Sequence, residues 1–150
     1  MKNYFNSCKS AYETSPIVVF GAPYDGTTSY RPGTRLAPNR IRLESIGIET
    51  YSPYQDKELL DYQIHDAGDT DIALGNTVKT LDFIYGAAKK YYNDDKKTLM
   101  IGGEHLVSLP TISACMEKYP ELRVVHFDAH TDLRDSFLGE ELSHATVLKV

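Results

Sequence analysis

The stretch that most constrains this chain runs from Arg123 to Asp135, RVVHFDAHTDLRD. Its first half, with Val124, Val125 and Phe127, is apolar and β-branched and predicts a strand. Its second half sets Asp128, His130 and Asp132 at alternate positions. Residues two apart lie on one side of an extended chain but on nearly opposite faces of a helix. The spacing therefore fits a strand or its extended end, where the three side chains converge. Two carboxylates and an imidazole aimed at one point need a cation between them. Oxygen and imidazole ligands suit Mn, Zn, Fe or Ni, and the lack of thiolate argues against a structural zinc cage.

The remaining segments supply a frame for that stretch. Residues 1–15 are polar with scattered Tyr and Phe, either a mobile arm or a strap across the domain. Ile17 to Phe20 reads as a short buried strand, and Asp25-Gly26 and Pro32-Gly33 mark a long loop after it. Pro38 opens a helix through about Ile46, with Gly47 as its terminator. Arg31, Arg35, Arg40 and Arg42 around this turn predict surface ion pairs ahead of an anion site. Residues 48–61 are loop-like, Tyr62 to Asp66 is a strand, and the following AGDTD reads as a turn. His65, Asp66, Asp69 and Asp71 suit capping and turn chemistry better than ligation.

Val78, Leu81, Ile84, Tyr85 and Ala88 form a helical stripe within Thr77 to Tyr92. Thr98 to Ile101 is the next strand, and Leu106 to Lys118 is a helix punctuated by Pro120. Glu140 to Val150 reads as the start of another element. The alternation of strands and helices marks a layered α/β domain with a mostly parallel sheet, whose ligands bind beyond the carboxyl ends of the strands. Gly102-Gly103-Glu104-His105 and Asp128 to Asp132 both follow a strand and can face one crevice. Gly102-Gly103 lets the backbone turn sharply and bring His105 inward as a fourth ligand. His126 shares the strand face of Asp128 but sits deeper, which suits a supporting role. His144, in SHAT, is an acid/base or substrate-contact candidate or a surface histidine near a helix start.

Composition narrows the partners. The net charge is −5, from 16 basic and 21 acidic residues, which disfavours nucleic acid and mildly favours a cationic ligand. Cys8 and Cys115 form no C-x-x-C pair, as expected for a reducing cytosol. No apolar h-region opens the chain, and no run is long enough to span a bilayer. The expected setting is cytoplasmic, without a membrane partner.

The segments GAPYDGTTSYRPGTRLAPNRIR, IGGEHLVSLP and VVHFDAHTDLRD, with LSHAT behind them, resemble the ureohydrolase family of arginases and agmatinases. The likeness runs across residues 17 to 147, and the RPG and SHAT pieces look most like agmatinase. It implies the N-terminal part of a three-layer αβα fold of the arginase/deacetylase kind, one domain over residues 1–150, incomplete at its C-terminus. It implies a binuclear Mn2+ centre, with His105, Asp128 and Asp132 on one ion, His130 and Asp128 on the other, and Asp128 bridging. Asp132 would assist proton delivery, and His144 would sit near the substrate guanidinium as a proton relay. Two metals ~3.5–4 Å apart generate hydroxide at neutral pH, able to attack a guanidinium carbon. The implied reaction is agmatine to putrescine and urea, in a homo-oligomer.

Two departures accompany the likeness. Leu106 and Glu104 replace a small polar residue and an Asp, neither of them a ligand. The family's third metal motif, an Asp-x-Asp further along, and the acid expected to hold the guanidinium are not reached by Val150, so four ligands are present where the family pattern needs six. Arginase or guanidinobutyrase activity, or a truncated non-catalytic module binding one metal, therefore stand as alternatives. A single-zinc amide hydrolase would fit Asp-x-His but leaves Asp132 and His105 unexplained.

Overall fold

Strand β1 (Ile17–Ala22) forms the centre of a three-stranded parallel sheet, between β4 (Ile64–Asp69) and β5 (Lys97–Gly102). The computed structural model describes residues 4–149, so the readings that touch residues 1–3 and Val150 lie outside the described residues. Between β1 and β4 come α1 (Ala37–Glu44) and a small antiparallel ribbon of β2 (Tyr51–Ser52) and β3 (Lys57–Glu58). Helix α2 (Thr77–Asn93) leads to β5, and α3 (Ser108–Lys118) follows it.

β1 has Val18 through Ala22 buried because both of its faces are covered. Phe20 and Ala22 pack with Leu81, Ile84 and Ala88 of α2 and with Val107 and Ala114 at α3. On the other face Val19 meets Ile64 and Cys8, with Phe5 and Ile101 beside them, and Pro38 of α1 comes up against Gly21. Complete burial of a side chain such as Phe20 or Ile84 contributes about 1.5–3 kcal/mol. α2 forms where the stripe predicts it, capped by Asn76 Oδ1, which accepts from Lys79 N at 2.9 Å.

The polar arm packs rather than floats. Lys9 makes an antiparallel bridge to His65, and Cys8 is buried. Burial, with Asp66 nearby, pushes the Cys8 thiol up to about 11, so it stays protonated at neutral pH. His65 Nδ1 bonds Ser10 O at 2.9 Å, while Asp66 and Asp69 hold Arg42. The Arg42 guanidinium is 3 % exposed, so this ion pair lies inside the molecule and not on its surface. Arg35 does pair near the surface, with Asp25 at 3.0 Å.

Three expected elements differ. Ala67, Gly68 and Asp69 continue β4 instead of turning, through a register shift opposite Val19 and Gly21 that Gly68 accommodates at φ 81°. The strand expected over Val124 to Phe127 does not join the sheet. Residues 122–128 carry no regular structure, and Phe127 is 95 % exposed. β-branched side chains favour a strand only when a neighbour supplies the ladder, and no strand among the described residues pairs with this segment. A cavity of about 390 Å3 is lined both by Met100 and Gly102 of β5 and by Val124 to Asp128. Residues 141–148 form turns and bends where the sequence suggests a helix or strand.

Candidate functional site

The site begins where β5 ends. Gly103 N donates to Ala22 O at 3.0 Å and Glu104 N to Tyr24 O at 2.8 Å, so the chain leaves β5 pressed against the end of β1. A Cβ on Gly103 would lie 1.9 Å from Tyr24 O and 2.9 Å from Tyr24 N. Those are backbone atoms and cannot swing aside. Gly103→Ala is therefore expected to lower stability by about 1–3 kcal/mol or more and to displace the turn that carries His105. Denaturant unfolding checks this; wild-type stability would show that the strand ends separate easily.

His105 follows in a short 3-10 turn, His105–Val107, capped by Glu104, whose Oε2 accepts from Leu106 N at 3.1 Å. This turn aims the His105 ring at Asp132. His105 Nδ1 lies 2.8 Å from Asp132 Oδ2 and 3.4 Å from Asp128 Oδ2. The ligand atoms of His105, Asp128 and Asp132 all fall within 4.8 Å of one another, a group able to hold a metal ion. Asp128 faces two ways. Its Oδ2 points to His105 and also lies 3.5 Å from His126 Nε2, whose side chain is partly exposed rather than buried deep. Its Oδ1 accepts from His130 N at 2.8 Å and lies 3.6 Å from His130 Nδ1.

The alternation of an extended strand is not what gathers these groups. Asp132 adopts φ 51°, in the left-handed region, and this turn of the backbone swings its carboxylate to His105. Its side chain ends 7 % exposed, whereas the His130 ring is 82 % exposed and stands outside the mutually close group.

The electrostatics favour positive charge here. The Asp132 hydrogen bond, with Asp128 nearby, raises the His105 pKa despite desolvation. The backbone N–H of His130, reinforced by the histidines, holds Asp128 below the usual carboxylate range. An ionised carboxylate pair around an imidazole nitrogen is a donor set that a divalent cation fits, with proton and metal competing for the same lone pair.

His144 comes from the far end of the chain. Its Nδ1 lies 2.7 Å from Thr27 O, and its ring packs edge-on to Phe137 at 5.0 Å. A cavity of about 410 Å3 is lined by His105, His130, Asp132 and His144, together with Ser29, Phe137 and others. Sequence reasoning did not single out Thr27, Ser29 or Phe137, and it set Glu104 aside. The available signal was a carboxylate between Gly103 and His105 at a strand end, where burial demands hydrogen-bond donors.

A model of the arginase family matches residues 15–150. The agmatinase of Bacillus cereus is 50% identical over 139 residues, which is 93% of this chain and 48% of that protein. Among solved structures, agmatine ureohydrolase of Thermoplasma volcanium superposes with a TM-score of 0.89 at 30% identity, covering 98% of this chain and 49% of that one. Proclavaminate amidino hydrolase of Streptomyces clavuligerus gives 0.89 at 31% identity, covering 99% and 50%. The chain spans about half the length of the curated relatives it matches.

Proposed function

The chain belongs to the arginase family, and from that premise we propose that it carries the N-terminal part of a manganese-dependent ureohydrolase site that converts agmatine to putrescine and urea. The observation that carries this reading is the single cavity shared by His105, His130, Asp132 and His144, with Asp128 between the two histidines of the metal set. We assign His105, Asp128 and Asp132 to one Mn2+ and Asp128 with His130 to a second. When bound, such a pair supplies a hydroxide nucleophile at neutral pH.

The chain's own residues do the rest. Asp128 presents Oδ2 towards His105 and Oδ1 towards His130, and would be the ligand shared between the two ions. The carbonyl of Thr27 can only accept, so His144 Nδ1 carries the proton and Nε2 is the free lone pair, 3.5 Å from Ser29 Oγ. His144 Nε2 is thus open to hold or pass a proton at the leaving nitrogen, and Asp132 assists from the metal side. The negative net charge suits capture of a guanidinium cation. No helix among the described residues is long and apolar enough to cross a membrane. We propose a cytoplasmic homo-oligomer acting on a small metabolite.

The test is urea release by the intact, Mn-loaded protein from agmatine, arginine and 4-guanidinobutyrate. Urea and putrescine from agmatine are expected. Turnover of one of the others alone would reassign the substrate, and no urea from any would overturn the reading.

A further inference from the structure

Thr27 does more than offer its carbonyl to His144: it joins the two halves of the site. Glu104 is 5 % exposed, and its Oε1 accepts both Thr27 Oγ1 at 2.6 Å and Thr27 N at 3.1 Å. The same Thr27 Oγ1 accepts from His144 N at 3.0 Å, and Thr27 O accepts from His144 Nδ1 at 2.7 Å. Glu104 is covalently next to His105. One threonine therefore ties the loop that carries His105 to a histidine 117 residues away, through four hydrogen bonds.

The geometry points to Thr27 as a positioning residue for His144, with Glu104 as its anchor. This rests on the proposed role of His144 in proton transfer. A charge-assisted bond from a hydroxyl to a buried carboxylate is short and directional. It fixes the Thr27 backbone, whose carbonyl then fixes both the plane and the tautomer of the imidazole. Without the hydroxyl, Glu104 loses one donor and the His144 N–H loses its acceptor. The ring is then free to tilt or to place its proton on Nε2, the wrong nitrogen for accepting one from the cavity. Because the bracket starts beside His105, the His144 ring is tied to the loop that carries that ligand.

Thr27→Val keeps the side-chain shape and removes the hydroxyl. In the intact Mn-loaded protein it should lower kcat by about 10–100-fold, the effect of misplacing a catalytic group by about an ångström, with little change in KM or metal content. Thr27→Ser should recover most of that loss. The decisive comparison is Thr27→Val in a His144→Ala background, where it should cost almost nothing further, since a positioning residue has nothing left to position. A full multiplicative loss in that background would overturn the inference and leave Thr27 as a general stabiliser. A readout free of turnover comes from histidine-15N NMR of the metal-free protein. His144 should carry its proton on Nδ1 in the wild type and Thr27→Ser, and share it with Nε2 in Thr27→Val. The same Nδ1 tautomer in all three would overturn the inference. If His144→Ala itself keeps full turnover, the role of His144 fails instead, and the NMR arm still decides whether Thr27 sets the ring.

Discussion

Asp128→Asn in the intact protein should abolish metal-dependent turnover while leaving the fold in place. Asparagine keeps an oxygen that can accept from His130 N, the 2.8 Å bond that shapes this turn. What it loses is the negative charge, and with it the ability to present an anionic oxygen to His105 on one side and His130 on the other. Removing a residue that merely supports a ligand costs roughly 10–100-fold in metal affinity, so removing a shared ligand should cost more than about 100-fold. Metal analysis and urea release measure both quantities on one sample. Unchanged turnover would remove Asp128 from the bridge, and a collapsed thermal transition would mean that its charge serves the fold instead.

Arg42→Met should be strongly destabilising although it lies away from the site. Arg42 grips Asp66 with two parallel bonds, Nε to Oδ2 at 2.8 Å and Nη2 to Oδ1 at 2.9 Å, and reaches Asp69 with Nη1. Burial alone would weaken the guanidinium's hold on its proton, but Asp66 and Asp69 reverse this and raise its pKa. Asp66 also accepts from Phe5 N at 3.0 Å and Gly68 N at 2.9 Å, so its carboxylate joins α1, β4 and the N-terminal arm. Methionine fills the volume but leaves a 1 % exposed carboxylate without its cation. Breaking a buried pair on one side costs about 3–5 kcal/mol, which for a chain of this size lowers Tm by roughly 6–20 °C. Adding Asp66→Asn to Arg42→Met should recover part of the loss, because both charges are then gone. A Tm within a degree or two of wild type for the single change would show that the network is dispensable.

Much of the frame was legible because its signals are local. The apolar run at Ile17, the stripe from Leu81 to Ala88 and the turn residues each act over a few positions. The end of β4 is not legible, because Gly68 and Asp69 look like a turn until a neighbouring strand pairs through the bulge. Val124 to Phe127 erred in the other direction: a strand needs a partner, and a pattern of side chains does not say whether one is present. Arg42 reads as a surface residue, since nothing nearby in sequence announces carboxylates 24 and 27 positions ahead.

By itself the sequence determined which chemical groups this protein can bring to a cation, because GGEH and DAHTD carry their ligands at short fixed spacings. It also determined the layered α/β class, which follows from the order of short periodic segments. Only the tertiary structure decided how those groups stand: Asp132 turned in by a left-handed backbone, His130 held apart, and His144 pinned through Thr27 to Glu104. The reason is one of range. Residue type and spacing code for what lies within a turn or two, whereas a hydrogen bond between residues 77 or 117 positions apart exists only once the sheet has brought their loops to the same end.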